Sequence, residues 1–584
     1  MQDLIIENGM IREPNGNTCK DSNKIVNALN TGECPECLDI RFWETIQETE
    51  FNAIMCAVQS GKSPRELNLN FANMVISDKA ATIIASVLQS GNCPMGLKIA
   101  FGAKCKLSVI ATTTIFAALK SGCCPNGLLI ELASNSVIGD QAASELSEAL
   151  QSGNSPAGLS VNLSNTNVTA SGAHTLAIAL QSGKCPLGFE LLINENPIKA
   201  SGAKALALAL QSGNCPPGFK LELRYCKLAQ AGTAFIIEAL QSGQCPRNFR
   251  IDLSSNNIPK QEINALAATL ASGNCPPNLH IALGKNNLTN EGINAICQAI
   301  HTRQCPLGLR LNLHSNNIDT EGFKLIAEAL ASGACPDVFG IDLLYCNNLN
   351  HNIAPIIANA LQTGKCPKNL FIRLSSNNIN HQGATCFAEA LQSGKCPPKL
   401  HLDLSINEIN AVGIKAFATA LSSGNCPDDL ILDLQRNNIG DDGAVALAEA
   451  LNSSNCPKIL HLDLNNCSIG IPGENAIAKS LLSNINVVID GLDTRHNSLL
   501  MVCNQRNRLI RAHPSYTNYI LDLCRVRGFY VPKFYQPQSL KTIIVTQHFL
   551  SADSMLTENL PNDIQDFAEE LDAVTKTIPH TFQQ

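Results

Sequence analysis

From about residue 34 to residue 489 the chain repeats one order of apolar and polar positions every thirty or thirty-one residues. After Cys245, the apolar residues Phe249, Ile251 and Leu253 alternate with Arg250 and Asp252. Period two over a short run predicts a strand with one buried face. Asn256 follows three residues on, and Ile258 two beyond it. The spacing then becomes helical. In the copy around Ser201, Ala203, Leu206, Ala207 and Leu210 share one helix face, and Gly213 supplies the left-handed residue that ends it. Each unit thus predicts strand, turn, helix and loop. A single unit cannot bury its apolar side, but stacking gives each strand a parallel neighbour and each helix a layer to pack on.

Two positions punctuate the copies. The loop S-G-x-C-P places Cys at Cys34, Cys93, Cys124, Cys185, Cys215, Cys245, Cys275, Cys305, Cys335, Cys366, Cys396, Cys426 and Cys456, with Ser63 and Ser155 in two further copies, fifteen in all. After the strand stands Asn (Asn135, Asn196, Asn256, Asn286, Asn316, Asn377, Asn407, Asn437) or Cys (Cys105, Cys226, Cys346, Cys467). Where the backbone turns inward, a stacked Asn amide satisfies polar groups removed from water, and Cys is a small, weakly polar substitute. These four Cys recur at every fourth repeat, which implies duplication of a four-repeat block.

The pattern L-x-L-x-x-N/C-x-L resembles leucine-rich repeats, and the repeat length with a full helix resembles the ribonuclease-inhibitor-like class. That resemblance implies an α/β leucine-rich-repeat solenoid. The expected form is a horseshoe with a parallel concave sheet, convex helices and a helical C-terminal cap. The expected divisions are an N-terminal cap at 1–33, with a helix over Asp21 to Asn30, and repeats over 34–489. A helical cap follows at 490–550, then a polar acidic tail at 551–584. The cap predicts two helices from His496 to Tyr530, split at Pro514, and either a strand or a further packed segment from Lys541 to Phe549.

Composition narrows the function. The net charge is −7, aromatics are 4% and charged residues 16%, which disfavours an overall basic nucleic-acid binder. There is no basic-then-apolar leader and no apolar run of transmembrane length. The 25 Cys mostly occupy repeat positions where Ser substitutes singly, so reduced structural thiols in a reducing compartment are expected. Cys34 and Cys37 form a lone C-x-x-C, which is not a zinc site by itself. P-loop, G-x-G-x-x-G, H-E-x-x-H and G-x-S-x-G motifs are all missing. No catalytic residue, cofactor or metal is expected.

His280, His401 and His461 share a strand row with Lys220, Arg250 and Arg310, beside a row of Glu222, Asp252, Asp342, Asp403, Asp433 and Asp463. A general acid–base pair is one reading of H-x-D; charge balance between repeated rows is the other. Candidate protein-binding residues on the same exposed face are Arg224, Tyr225, Lys285, His314, Tyr345, Phe371, Arg373, Ile406, Ile431 and Arg436, since aromatics and Arg anchor interfaces. Trp43 and Thr45 read as parts of a degenerate first repeat. The arginines from Arg495 to Arg527 read as a solvated cap face or as a docking patch.

The consensus GAxALAxALQSGxCPxxLxLDLSxNNI, seen at 202–216 and 400–409, resembles leucine-rich-repeat effectors of the Legionella type. The resemblance implies a non-enzymatic scaffold that binds a host protein in the host cytosol after translocation, with no nucleic acid and no integral membrane segment. Phe567 to Leu571 is compatible with a C-terminal translocation signal. Fold analogy leaves a regulator of a small GTPase, or a ubiquitin-pathway adaptor, as the alternative.

Overall fold

A computed structural model describes residues 5–7, 10–12, 22–32, 38–42, 46–72, 74–346, 353–484, 487–492 and 498–512. Cys34, Cys37, Trp43, Thr45, Arg495, the second predicted cap helix, the 541–549 segment and the stretch 567–571 lie outside them. The chain divides into two compact units, Met1–Leu313 and His314–Gln584.

In the first unit an antiparallel pair, Ile5–Glu7 and Met10–Arg12, leads into parallel strands from Asp39–Arg41 to Arg310–Asn312. Each strand pairs in register with the next repeat's: Ile251 lies beside Leu221 and Ile281. The second unit has the same order, from Gly340–Asp342 to Val487–Asp490. A helix follows each parallel strand up to Leu460–Asp463, packing on helices of neighbouring repeats. The N-terminal helix runs Ser22–Thr31, one residue from its expected place.

Most strands are only three residues long. Their flanking apolar residues nevertheless extend the pairing, as in Leu253 N–H to Ala282 O at 2.9 Å. Leu221, Leu223, Phe249 and Leu253 are fully buried. Phe189, Phe219 and Phe249 stack at 5.9 and 5.8 Å, so these rings sit where repeats touch.

The loop S-G-x-C-P ends each helix by serving one carbonyl repeatedly. Ser212 Oγ and Cys215 Sγ both donate to Ala209 O, at 2.7 and 3.5 Å, and Gly213 takes φ +74°. Ser155 Oγ donates to Ala149 O at 3.5 Å in the same place. The position therefore needs a small donor rather than a partner sulfur. Burial pushes the Cys215 thiol up to about 12, which keeps it protonated and a poor nucleophile.

The Asn position builds a ladder. Asn196 Nδ2 donates to Leu163 O, Ile193 O and Asn194 O, while its Oδ1 accepts from Thr166 N–H and Val168 N–H of the preceding repeat. Cys226 reproduces the first contact, Sγ to Ile193 O at 3.2 Å, but offers no amide oxygen to the preceding repeat. The backbone compensates. Lys199 becomes left-handed, and its N–H bonds Cys226 O at 3.2 Å. Gly440 does the same toward Cys467 O, and Gly139 toward the backbone oxygen of Thr166, a third type at the Asn position. All three following helices start without a side-chain cap. By contrast, Asn380 and Asn410 cap theirs.

The helix Ser498–Ala512 closes the last repeats. Asn507 Nδ2 donates to Asn484 O and Val487 O, and buried Arg506 donates to Leu481 O at 2.6 Å. Arg511 reaches Asp429 at 3.2 Å, and Arg508 pairs with Asp490. These three arginines bond within the chain.

Candidate functional site

The strand side chains that point away from the helices form two charged rows. In the first unit, register sets Lys220, Arg250, His280 and Arg310 side by side. In the second it sets Phe371, His401, Ile431 and His461 side by side. The Phe371 and His401 rings meet edge-on at 4.7 Å.

The acidic row has a backbone task. One carboxylate oxygen accepts the N–H two residues on, from Asp252 to Ser254, Asp342 to Leu344, Asp403 to Ser405, Asp433 to Gln435 and Asp463 to Asn465, at 2.8 to 3.0 Å. Each Asp thereby fixes the turn that leaves its strand. Arg373 lies between two of them, 3.6 Å from Asp342 and 2.9 Å from Asp403, though its Nε–H makes no hydrogen bond there. Burial raises Asp342 above the ordinary range. Burial, then Asp403 and Asp463, lift Asp433 to about 6. His461 Nε2 sits 2.5 Å from Asp490, and burial lowers its pKa. This arrangement is one of turn locking and charge balance between rows.

The ten candidate residues separate into two sets. Phe371, Arg373 and Ile431 lie on strands, all half-buried. Arg224 and His314 follow two residues after their strands, exposed and half-buried respectively. The other five are not on the sheet face. Tyr225, Lys285, Tyr345, Ile406 and Arg436 occupy the turn beyond it, each with φ between +50° and +55°. The same turn position is left-handed in Glu195, Ser255, Ser315 and Ser376, because the Asn ladder holds the backbone there. Tyr225 is 59% exposed, Tyr345 53% and Ile406 41%.

Ile406 is the informative member. A left-handed backbone is a genuine outlier for a β-branched residue, and Ile406 keeps 41% of its surface exposed. Such strain points toward function when the exposed side chain has no packing task. Asn165 and Asn466 hold the same left-handed position in two other copies, the one sequence signal that marks the row as a turn.

The fold and the comparison agree. A family model described as Leucine Rich repeat matches residues 399–418 and 430–448, each match spanning a strand and the helix that follows. The chain folds as a leucine-rich-repeat solenoid. A search of curated proteins returned no match. Among the described residues of these repeats, no helix is long and apolar enough to cross a membrane, and no cluster of His, Cys, Asp and Glu has the geometry to hold a metal ion.

Proposed function

We propose that this leucine-rich-repeat chain is a non-enzymatic protein-binding scaffold. In each unit its contact surface is the exposed sheet face together with the left-handed turn row beside it. The observation that carries this reading is the row itself: Tyr225, Tyr345 and Ile406 stand in solvent on a backbone held rigid by buried Asn and Asp side chains. A pre-formed surface loses little ordering entropy on binding, and exposed aromatic anchors suit protein interfaces. The H-x-D pairs are engaged in turn locking and charge balance, which argues against acid–base chemistry at this face.

The resemblance of the repeat consensus to translocated effectors supports a host protein as partner and the host cytosol as the place of action. Buried thiols held protonated suit a reducing cytosol. Tyr225→Ala and Tyr345→Ala, tested separately and together, are expected to weaken partner capture in a pull-down from host lysate while leaving the circular dichroism spectrum unchanged. Unaltered capture by the double variant would remove the turn row from the contact surface.

A further inference from the structure

The sheet face of the first unit carries a recess of about 270 Å³. It opens over the strands Lys220–Glu222, Arg250–Asp252 and His280–Ala282, and Asn312 of the following strand also lines it. In-register pairing puts Glu222, Asp252, Ala282 and Asn312 in one row across these strands. The methyl group of Ala282 leaves room where its neighbours in the row carry larger polar side chains.

Four charged residues line the recess, and two of them are already engaged with each other. Lys220 Nζ lies 2.8 Å from one oxygen of Glu222, and the other oxygen accepts Asn194 Nδ2 at 2.6 Å. The second pair is open. Arg250 is exposed and makes no ion pair or hydrogen bond among the described residues. Asp252 gives one oxygen to the Ser254 N–H at 2.8 Å, and its other oxygen has no partner among the described residues. Residues two apart on a strand share a face, with backbones roughly 7 Å apart. A cation and an anion thus stand side by side at the recess without pairing. The rest of the lining is uncharged. Burial, then Arg250, Arg310 and Lys220, push the His280 pKa down to about 4, so its ring is neutral at pH 7 and presents one N–H and one acceptor. The Asn312 carboxamide likewise combines donor and acceptor.

We propose that this recess binds a free α-amino acid with a neutral, polar side chain. This goes beyond the scaffold reading, because the ligand is a small zwitterion rather than a protein. An α-amino acid carries its carboxylate and its ammonium on one carbon. The carboxylate meets the Arg250 guanidinium, and the ammonium meets the open oxygen of Asp252. Both contacts are charge-assisted hydrogen bonds, the strong kind. A simple anion would stand against Asp252 and a simple cation against Arg250, and like charges at such range repel. Only a ligand with both signs serves both residues. Its side chain then lies over Ala282, among the hydrogen-bonding groups of His280 and Asn312. A recess below the roughly 300–1,000 Å³ of drug-sized sites suits a molecule as small as an amino acid.

The test is calorimetry on the full chain with glutamine, N-acetylglutamine and glutaminamide as probes. NMR of labelled histidine follows His280 in parallel. Glutamine is expected to bind saturably and to shift the His280 resonances. N-acetylglutamine lacks the ammonium and glutaminamide lacks the carboxylate. Each is expected to bind at least about tenfold more weakly, as loss of a charge-assisted hydrogen bond implies. Arg250→Gln and Asp252→Asn are expected to weaken glutamine binding by the same factor. Asp252→Asn keeps an oxygen for the Ser254 N–H, so the turn survives, and circular dichroism checks both folds. Ala282→Leu, which fills the recess, is expected to abolish binding. Lys324→Ala, on a helix of the second unit, is expected to change nothing. No saturable binding of glutamine overturns the proposal. So does equal binding by either derivative, or glutamine binding unchanged in Arg250→Gln or in Asp252→Asn.

Discussion

Replacing Asn256 by Ala and by Cys separates the two halves of the ladder's work. Asn256 Nδ2 donates to Leu223 O, Leu253 O and Ser254 O at 2.8, 3.1 and 3.2 Å, and its Oδ1 accepts the Cys226 N–H at 2.9 Å. Leu253 O keeps a second donor, Asn286 Nδ2 at 3.1 Å. Removal of the amide therefore strands chiefly Leu223 O and the Cys226 N–H. Each buried orphan costs about 1–3 kcal/mol, so Asn256→Ala is expected to destabilise by about 2–6 kcal/mol. Asn256→Cys can repeat the Cys226 contact, thirty-three residues back, and so reach Leu223 O. Only the Cys226 N–H then stays unpaired, and the expected cost is about half. Urea denaturation followed by circular dichroism gives the total. Hydrogen exchange over residues 223–256 localises it, since solenoid repeats need not unfold together. An Ala variant within about 1 kcal/mol of wild type, or a Cys variant as damaged as the Ala variant, refutes the ladder account.

Two further outcomes follow from the same reasoning. Cys275, whose Sγ donates to Thr269 O at 3.5 Å, is expected to tolerate Ser with a cost below about 1 kcal/mol and to lose more with Val, which lacks the donor; thermal melts compare them. Asp433 has a folded pKa of about 6, above the ordinary carboxylate value, so its stability contribution is full below about pH 4 and is lost as pH rises through 6. Asp433→Asn keeps the oxygen that accepts the Gln435 N–H. It is expected to gain about 1 kcal/mol at pH 7, allowing for solvent screening, with no gain at pH 3.5; denaturation at the two pH values reads both.

The repeat was legible because every element recurs in register, and a burial pattern seen many times cannot be mistaken for chance. The amide ladder was legible for the same reason, but Thr166 escaped notice because it fits neither side of the Asn-or-Cys rule. The turn row was misplaced for a physical reason. Its φ is imposed by neighbours through the Asn and Asp hydrogen bonds, so Tyr225, Lys285 and Ile406, which have no turn preference, occupy the same position as Asn165, Ser255 and Asn466. The cap arginines were open between two readings, and only coordinates show Arg506 turned inward to a helix-end carbonyl.

The central claim is that partners are held on the strand side and its turn row. The helix side offers the natural control, because it too exposes apolar residues, among them Ile178, Leu208, Val412 and Val445. A photo-crosslinking amino acid placed singly at Tyr225, Tyr345 and Ile406, and at Leu208 and Val412, tests the claim directly in cells that contain the partner. The account predicts one crosslinked partner band from the turn-row positions and none from the helix positions. The same band arising from Leu208 or Val412, with nothing from Tyr225, Tyr345 or Ile406, contradicts it.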